Sequence, residues 1–232
     1  MHRSARTVLA ILIASFTHAT GFSQSDISRV QSLSQLRADT TEARVRAEYF
    51  DLPGDPLGQH GTANVLIFDP PVPAAVLYGD LFGLPKTSAA QLFSEAVCQA
   101  NAIIVGRATA SRAYLNLHDT YLFTDFTFTV GEWIRPANTP HRTIVFSRLG
   151  GAARVGDIDY SSGAPFAIPI NVSMIVFGTE IKNASSYHAM PAPITIRGAE
   201  VDFSADSPGR TLGIASTEEF LKGLRNAAKA CK

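Results

Sequence analysis

The sequence predicts a mainly β protein: a small, partly open barrel of five strands with flanking helices, with a β-sandwich as the alternative. Three observations predict it. The run "DTYLFTDFTFTVGEWIR" (Asp119–Arg135) is dense in aromatic and β-branched residues. Within it Phe126, Phe128 and Val130 alternate with Asp125, Thr127 and Thr129, the period of a strand with one buried face. Second, four more apolar runs flank it at Ala102–Ala110, Thr143–Leu149, Val172–Ile181 and Pro193–Phe203. Third, one amphipathic helix precedes the strands and another follows them. Tyr121–Ile134 as a single strand would be about 45 Å long at ~3.3 Å per residue, so it must bend and serve two sheets. Gly131 is the residue type for that bend or bulge.

The elements follow in order. Residues 1–23 read as a signal peptide. Arg3 and Arg6 form a positive start, Val8–Phe16 is apolar but too short to span a bilayer, and Gly21-Phe22-Ser23 fits cleavage before Gln24. Thr17-His18-Ala19 fits nearly as well, and a buried helix or uncleaved anchor is the alternative. Residues 24–87 form an extension expected to pack on the barrel. Ile27–Tyr49 permits a helix weakly, "DLPGDPLGQHGTAN" is turn-rich, Val65–Phe68 is a short strand candidate, and the proline-broken segment 65–84 is too apolar for a free linker. The main domain spans 88–232. Ser88 and Gln91 make a capping box, and Ala89, Leu92, Phe93, Ala96, Val97 and Ala100 form one apolar stripe, with Cys98 pointing away from it. Leu122 and Ile134 are expected to extend the apolar face of the second strand. "RPANTPHR" reads as a hairpin loop, Gly150-Gly151 closes the third strand, and "GDIDYSSGAPFAIP" reads as a long connection. Ser216 and Glu219 open the last helix, whose inner face carries Phe220, Leu224, Ala227, Ala228 and Cys231. Five strands, one long and bent, with a helix at the rim match the oligonucleotide/oligosaccharide-binding (OB) type of barrel.

Composition narrows the function. Hydrophobic residues make up 46% and charged residues 17%, so a packed core is expected rather than disorder. The formal net charge is zero, which gives no long-range pull toward phosphate backbones or anionic membranes. A nucleic-acid partner is therefore not expected, and because no apolar run after the leader is long enough for a membrane helix, neither is a membrane span. Two cysteines in an exported chain suggest a disulfide between Cys98 and Cys231, the alternative being two buried thiols.

No motif announces an enzyme. There is no G-x-S-x-G elbow, no H-E-x-x-H and no C-x-x-C, and Gly150, Gly151 and Gly156 open no helix that could hold a dinucleotide. No metal or cofactor is expected. Asp157 and Asp159 read as turn residues. Arg135, His141, Arg142, Arg148 and Arg154 form a basic stretch with no acid between Glu132 and Asp157. With Trp133 and Tyr121 as stacking rings, Trp133, Arg135, Arg142 and Arg148 are the candidate binding residues. Tyr121, Phe123 and Trp133 equally suit a face covered by residues 65–84.

"AVCQANAIIVGRATA", "YLFTDFTFTVGEWIR", "TIVFSRLGGAARVGD" and "SMIVFGTEI" resemble a pattern in exported bacterial proteins of uncharacterised function. They are distantly similar to the netrin-like barrel of tissue inhibitors of metalloproteinases, over about residues 92–205. Asn101 stands where the pattern often has Asp. Those inhibitors place an N-terminal cysteine on a catalytic zinc, and the chain has none near Gln24, so that activity is not implied. The expectation is a non-enzymatic binding module with a protein or glycan partner outside the cytoplasm. Two other readings stay open: an accessory subunit docking through 65–84, and a hydrolase using His118, Asp157 and Asp159.

Overall fold

The computed structural model describes residues 27–51, 65–68, 89–136, 141–162, 168–189, 193–202 and 216–231. The leader, Ser88 and residues 69–84 of the apolar segment lie outside the described residues. Two long strands organise the rest: β3 (Ala102–Leu115) and β4 (Leu122–Arg135), antiparallel along their whole length. β4 continues into β5 (Thr143–Leu149), and β3 pairs on its other side with β8 (Ser173–Ile181). A short strand, β9 (Ser186–Ala189), runs parallel to β5 and antiparallel to β8. Hydrogen bonds therefore close a ring, β8–β3–β4–β5–β9. β10 (Ile194–Arg197) and β11 (Glu200–Asp202) extend the same sheet beyond β8.

The ring encloses a core to which all five strands contribute. Ile104 and Ala108 from β3, Phe126 and Phe128 from β4, Phe146 from β5, Met174 and Val176 from β8 and Ala189 from β9 form one buried cluster. Phe128 and Phe146 meet edge to face at 5.3 Å. Gly178 makes the packing possible: a Cβ there would sit 2.5 Å from the Phe146 ring and 2.9 Å from Tyr187 Cβ.

The β3–β4 register shifts at Gly131, and again at Ile134, which lies between the partners of Ile103 and Ile104. Val105 faces Glu132 and Gly106 faces Val130, which leaves Gly131 as the extra residue. It also corrects the expected face. The inserted residue flips the alternation, so Trp133 continues toward the interior cluster and Ile134 turns outward to the helices.

Two further expectations are revised. Pro193–Phe203 is not one ring strand. Gly198, at φ +63°, makes a turn that splits it into the β10–β11 hairpin, and β9 supplies the fifth strand of the ring. The stretch expected as a long connection instead holds β7 (Ile158–Ser162), which forms a hairpin with β6 (Gly151–Val155). That hairpin is the middle of a second, four-stranded sheet. Its outer strands come from the N-terminal part: β1 (Ser28–Val30) lies parallel to β6, and β2 (Val65–Phe68) parallel to β7.

Helices cover two outer faces of the ring. α2 (Ala89–Gln99) and α3 (Thr217–Ala230) bury Phe93, Val97, Phe220 and Leu224 against Ile103, Ile175 and Phe177. Ala227, Ala228 and Cys231 complete the face read from the sequence. Cys98 and Cys231 form a disulfide with Cα atoms 5.2 Å apart. After a short 3-10 helix (Leu33–Leu36), α1 (Thr41–Tyr49) covers the other face, with Ala43 and Ala47 against Tyr114 and Phe123. Thr40 caps α1 by accepting from Ala43 N at 3.1 Å. Among the described residues, α1 and Phe50 cover the outer face of β4 at Phe123.

Candidate functional site

The four residues expected to bind a partner do not form one site. Trp133 and Arg142 lie at one end of the ring, where Trp133 Nε1 donates to the His141 carbonyl at 2.7 Å and Val130 N donates to the Arg142 carbonyl at 2.8 Å. Arg142 is exposed there. Arg148 sits six residues along β5, opposite Thr124, about 20 Å away at ~3.3 Å per residue. Arg135 is engaged structurally: Nη1 donates to the carbonyls of Val97 and Cys98 at 2.9 and 3.1 Å, closing the C-terminal end of α2 beside the disulfide. Arg154 pairs with Asp159 across the β6–β7 hairpin at 2.6 Å, which raises the arginine pKa and holds the carboxyl below its usual range.

His118, Asp157 and Asp159 are also not gathered. His118 Nδ1 lies 2.6 Å from Asp51 Oδ2, tying the β3–β4 turn to the end of α1. Asn116, buried in the same turn, donates to Asp51 at 3.2 Å and to Thr120 at 2.6 Å, and accepts from the backbone of Thr120 and Tyr121. This network docks a turn.

A second polar row, invisible in the sequence, crosses the outer face of the ring beneath α1. Asp125, Ser147 and His188 are register partners on β4, β5 and β9. Ser147 donates to Asp125 Oδ1 at 2.6 Å, and Arg46 of α1 reaches Asp125 Oδ2 at 2.8 Å, their side chains 6% and 9% exposed. Burial pushes the Asp125 carboxyl up, opposed by the Ser147 hydroxyl and Arg46. The three residue types are those of a hydrolytic triad, but the connections are wrong for one. The serine proton goes to the acid rather than to the imidazole, and Ser147 is fully buried. His188 instead lies 3.1 Å from the Tyr49 hydroxyl. Its ring keeps some contact with solvent, yet crowding by neighbouring atoms desolvates it and, with Arg148, drives its pKa down to about 4.

The open surface is elsewhere. A groove of about 500 Å³ runs between β1, the 3-10 helix and β3. Arg29, Arg37 and Arg112 line it with Ser34, Gln35 and one carboxylate, Asp39. Arg112 pairs with Asp39 at 3.0 Å and lies 4.6 Å over the Tyr114 ring. Arg37 donates from Nε to both oxygens of Asp119, at 3.2 and 3.0 Å. From β3, Arg112 and Ala113 line this groove. β8 pairs only with Ala102–Arg107, Ala108 makes a single bridge to Ile170, and Ala113 N is satisfied by the Ser28 hydroxyl at 2.8 Å. From Thr109 to Arg112 no strand among the described residues pairs on that side.

Sequence reasoning missed this groove because its two walls are far apart in the chain. Asp39 and Arg112, which meet across it, are separated by 73 residues, and only the fold joins them. No described helix is long and apolar enough to cross a membrane. Among the described residues, no group of three or more His, Cys, Asp or Glu side chains is gathered as a metal would need. Compared with known proteins, the chain matches no family model, no curated protein and no solved structure.

Proposed function

We propose that the chain is a non-enzymatic binding module working outside the cytoplasm, and that it takes an extended acidic segment of a protein partner along the groove beside β3. The observation that carries this reading is that the β3 edge over Thr109–Arg112, which no described strand pairs, leads into a cavity lined by Arg29, Arg37 and Arg112, the last two held in place by Asp119 and Asp39. An extended peptide laid on such an edge gains backbone hydrogen bonds, and its carboxylates meet Arg29, Arg37 and Arg112. Among the described residues, the polar constellations at Asp51–Asn116–His118 and Arg46–Asp125–Ser147 hold a turn and a helix to the ring. The leader-like residues 1–23 and the Cys98–Cys231 disulfide support export. The order of the ring, with its single parallel pair between β5 and β9, supports reading it as an OB-type barrel of the kind the netrin-like resemblance implies.

The test is fluorescence anisotropy with labelled ten-residue peptides rich in Glu, with basic peptides and a sulfated glycan as comparison probes. The acidic peptides are expected to bind in a salt-sensitive way. Arg112→Glu should weaken them about tenfold, ~1.4 kcal/mol, and Arg142→Glu should leave them unchanged. Loss in Arg142→Glu alone would return the site to the basic hairpin. Binding of the glycan without the peptides would overturn the peptide reading.

A further inference from the structure

We propose that residues 40–51 form an acid-released strap: protonation of His188 undocks α1 and Phe50 and uncovers the aromatic face that Tyr114 and Phe123 present on the outside of the ring.

The strap has an unusual seat. Its buried positions are Ala43, Arg46, Ala47 and Phe50, so one arginine replaces an apolar residue in the stripe. Arg46 spends two nitrogens on Asp125, while Nη1 is buried without a hydrogen bond, 4.0 Å from Glu42. Phe50 and Tyr114 both stack on Phe123, with ring centroids 5.2 and 5.4 Å away. At the end of the strap, the rings of Tyr49 and Phe50 close edge-on over His188 at 5.6 and 5.2 Å.

The groups facing His188 favour a neutral imidazole. α1 presents the Tyr49 hydroxyl, β5 presents Arg148 and the register partner Ser147, and β8 presents the register partner Thr179. Asp125, in the same row, is engaged by Arg46 and Ser147. Glu180 is paired in register with Tyr187, the next residue along β9. A proton on His188 therefore adds a cation beside Arg148 under two aromatic rings. β9 is held by continuous backbone pairing to both β5 and β8, whereas residues 40–51 are held by Ala43, Ala47 and Phe50, the Arg46–Asp125 pair, a single backbone bond from Leu117 N to the Ala47 carbonyl at 3.2 Å, and the contacts of Asp51 with Asn116 and His118. The strap is the element that yields.

The direction follows from linkage. With the strap closed, His188 stays neutral down to about 4, and in the open state it returns to its ordinary 6.5. The closed state is fully favoured above pH 6.5 and loses that advantage as the pH falls toward 4. Asp125 acts with the opposite sign, because burial raises its pKa and its protonation favours the closed state. A variant at His188 separates the two.

Hydrogen exchange of peptides covering residues 40–51, corrected for the intrinsic rate, tests the proposal on the intact chain. Between pH 7.5 and pH 5.0 His188 should raise the opening constant by at most roughly 30-fold, reduced by the opposing protonation of Asp125, with β3, β4 and β5 unchanged. His188→Phe keeps a ring in place and removes the titration, so it should abolish the rise. Equal strap protection at both pH values, or the same rise in His188→Phe, overturns the proposal. Nuclear magnetic resonance titration of His188 in the unaltered chain gives a second measurement that needs no variant. A midpoint below the ordinary 6.5, between that value and the closed state's value of about 4, is expected, and one at 6.5 with the strap closed overturns it.

Discussion

The C-terminal helix and the N-terminal strap both cover an outer face of the same ring, but by different means. α3 presents Phe220 and Leu224 to an apolar cluster and is tied to α2 by the disulfide. α1 presents two alanines and an arginine, and its specificity comes from an ion pair, a histidine and a stacked ring. Burial of apolar area is non-directional and tolerant, while buried polar contacts are costly when any one member is lost. The first attachment belongs to the global stability of the domain. The second can open by itself.

The widest separation between the two should come from matched core-facing variants. Phe220→Ala empties a site that is 1% exposed and should cost about 3–5 kcal/mol, lowering the melting of the whole domain. Arg46→Ala leaves Asp125 buried without its cation, a defect of similar size, about 3–5 kcal/mol, if α1 stays docked. Because α1 can leave, the strap should lose protection in hydrogen exchange while the ring melts nearly as before. Equal loss of global stability in both variants would erase the distinction.

Replacing both Cys98 and Cys231 by serine sharpens the same comparison. The bridge spans 133 residues, and its removal should cost about 2–5 kcal/mol in chemical denaturation. The effect should appear in the α3 face and the ring, and strap opening at neutral pH should be unchanged.

The smallest expected effects lie inside the ring. Gly178→Ala drives a methyl into the buried Phe146 ring and should cost about 1–3 kcal/mol. Gly131→Ala should stay within about 1 kcal/mol, because a Cβ there meets only the Val105 carbonyl, at 3.5 Å. Thermal melts of the two variants decide whether close approach, rather than the bulge itself, is what requires glycine.

The parts of the fold legible in the sequence were those held by apolar burial. The α3 stripe, the α2 stripe and the inward face of β4 up to Val130 all follow from periodicity. Beyond Val130 periodicity failed, because one inserted residue at Gly131 exchanged the roles of Trp133 and Ile134. β9 escaped notice because "SYHA" carries no apolar alternation, its place being fixed by backbone pairing on both sides. α1 was legible only as a weak helix within Ile27–Tyr49, because its buried stripe contains Arg46, whose partner Asp125 lies 79 residues away. The groove was equally hidden: residues 28–39 and Arg112 meet only after β1 has joined β6 beside the end of β3. Basic residues clustered in the sequence between Arg135 and Arg154 were, by contrast, dispersed by the strands that carry them.

The most direct test is native-state hydrogen exchange at pH 7.5 in low denaturant, resolved by segment. The account predicts that β3, β4, β5, β8 and β9 exchange together with α3, at the free energy of global unfolding, while residues 40–51 exchange through a separate, cheaper opening. Exchange of the strap in step with the ring, or early exchange of β9 that leaves the ring open, would contradict it.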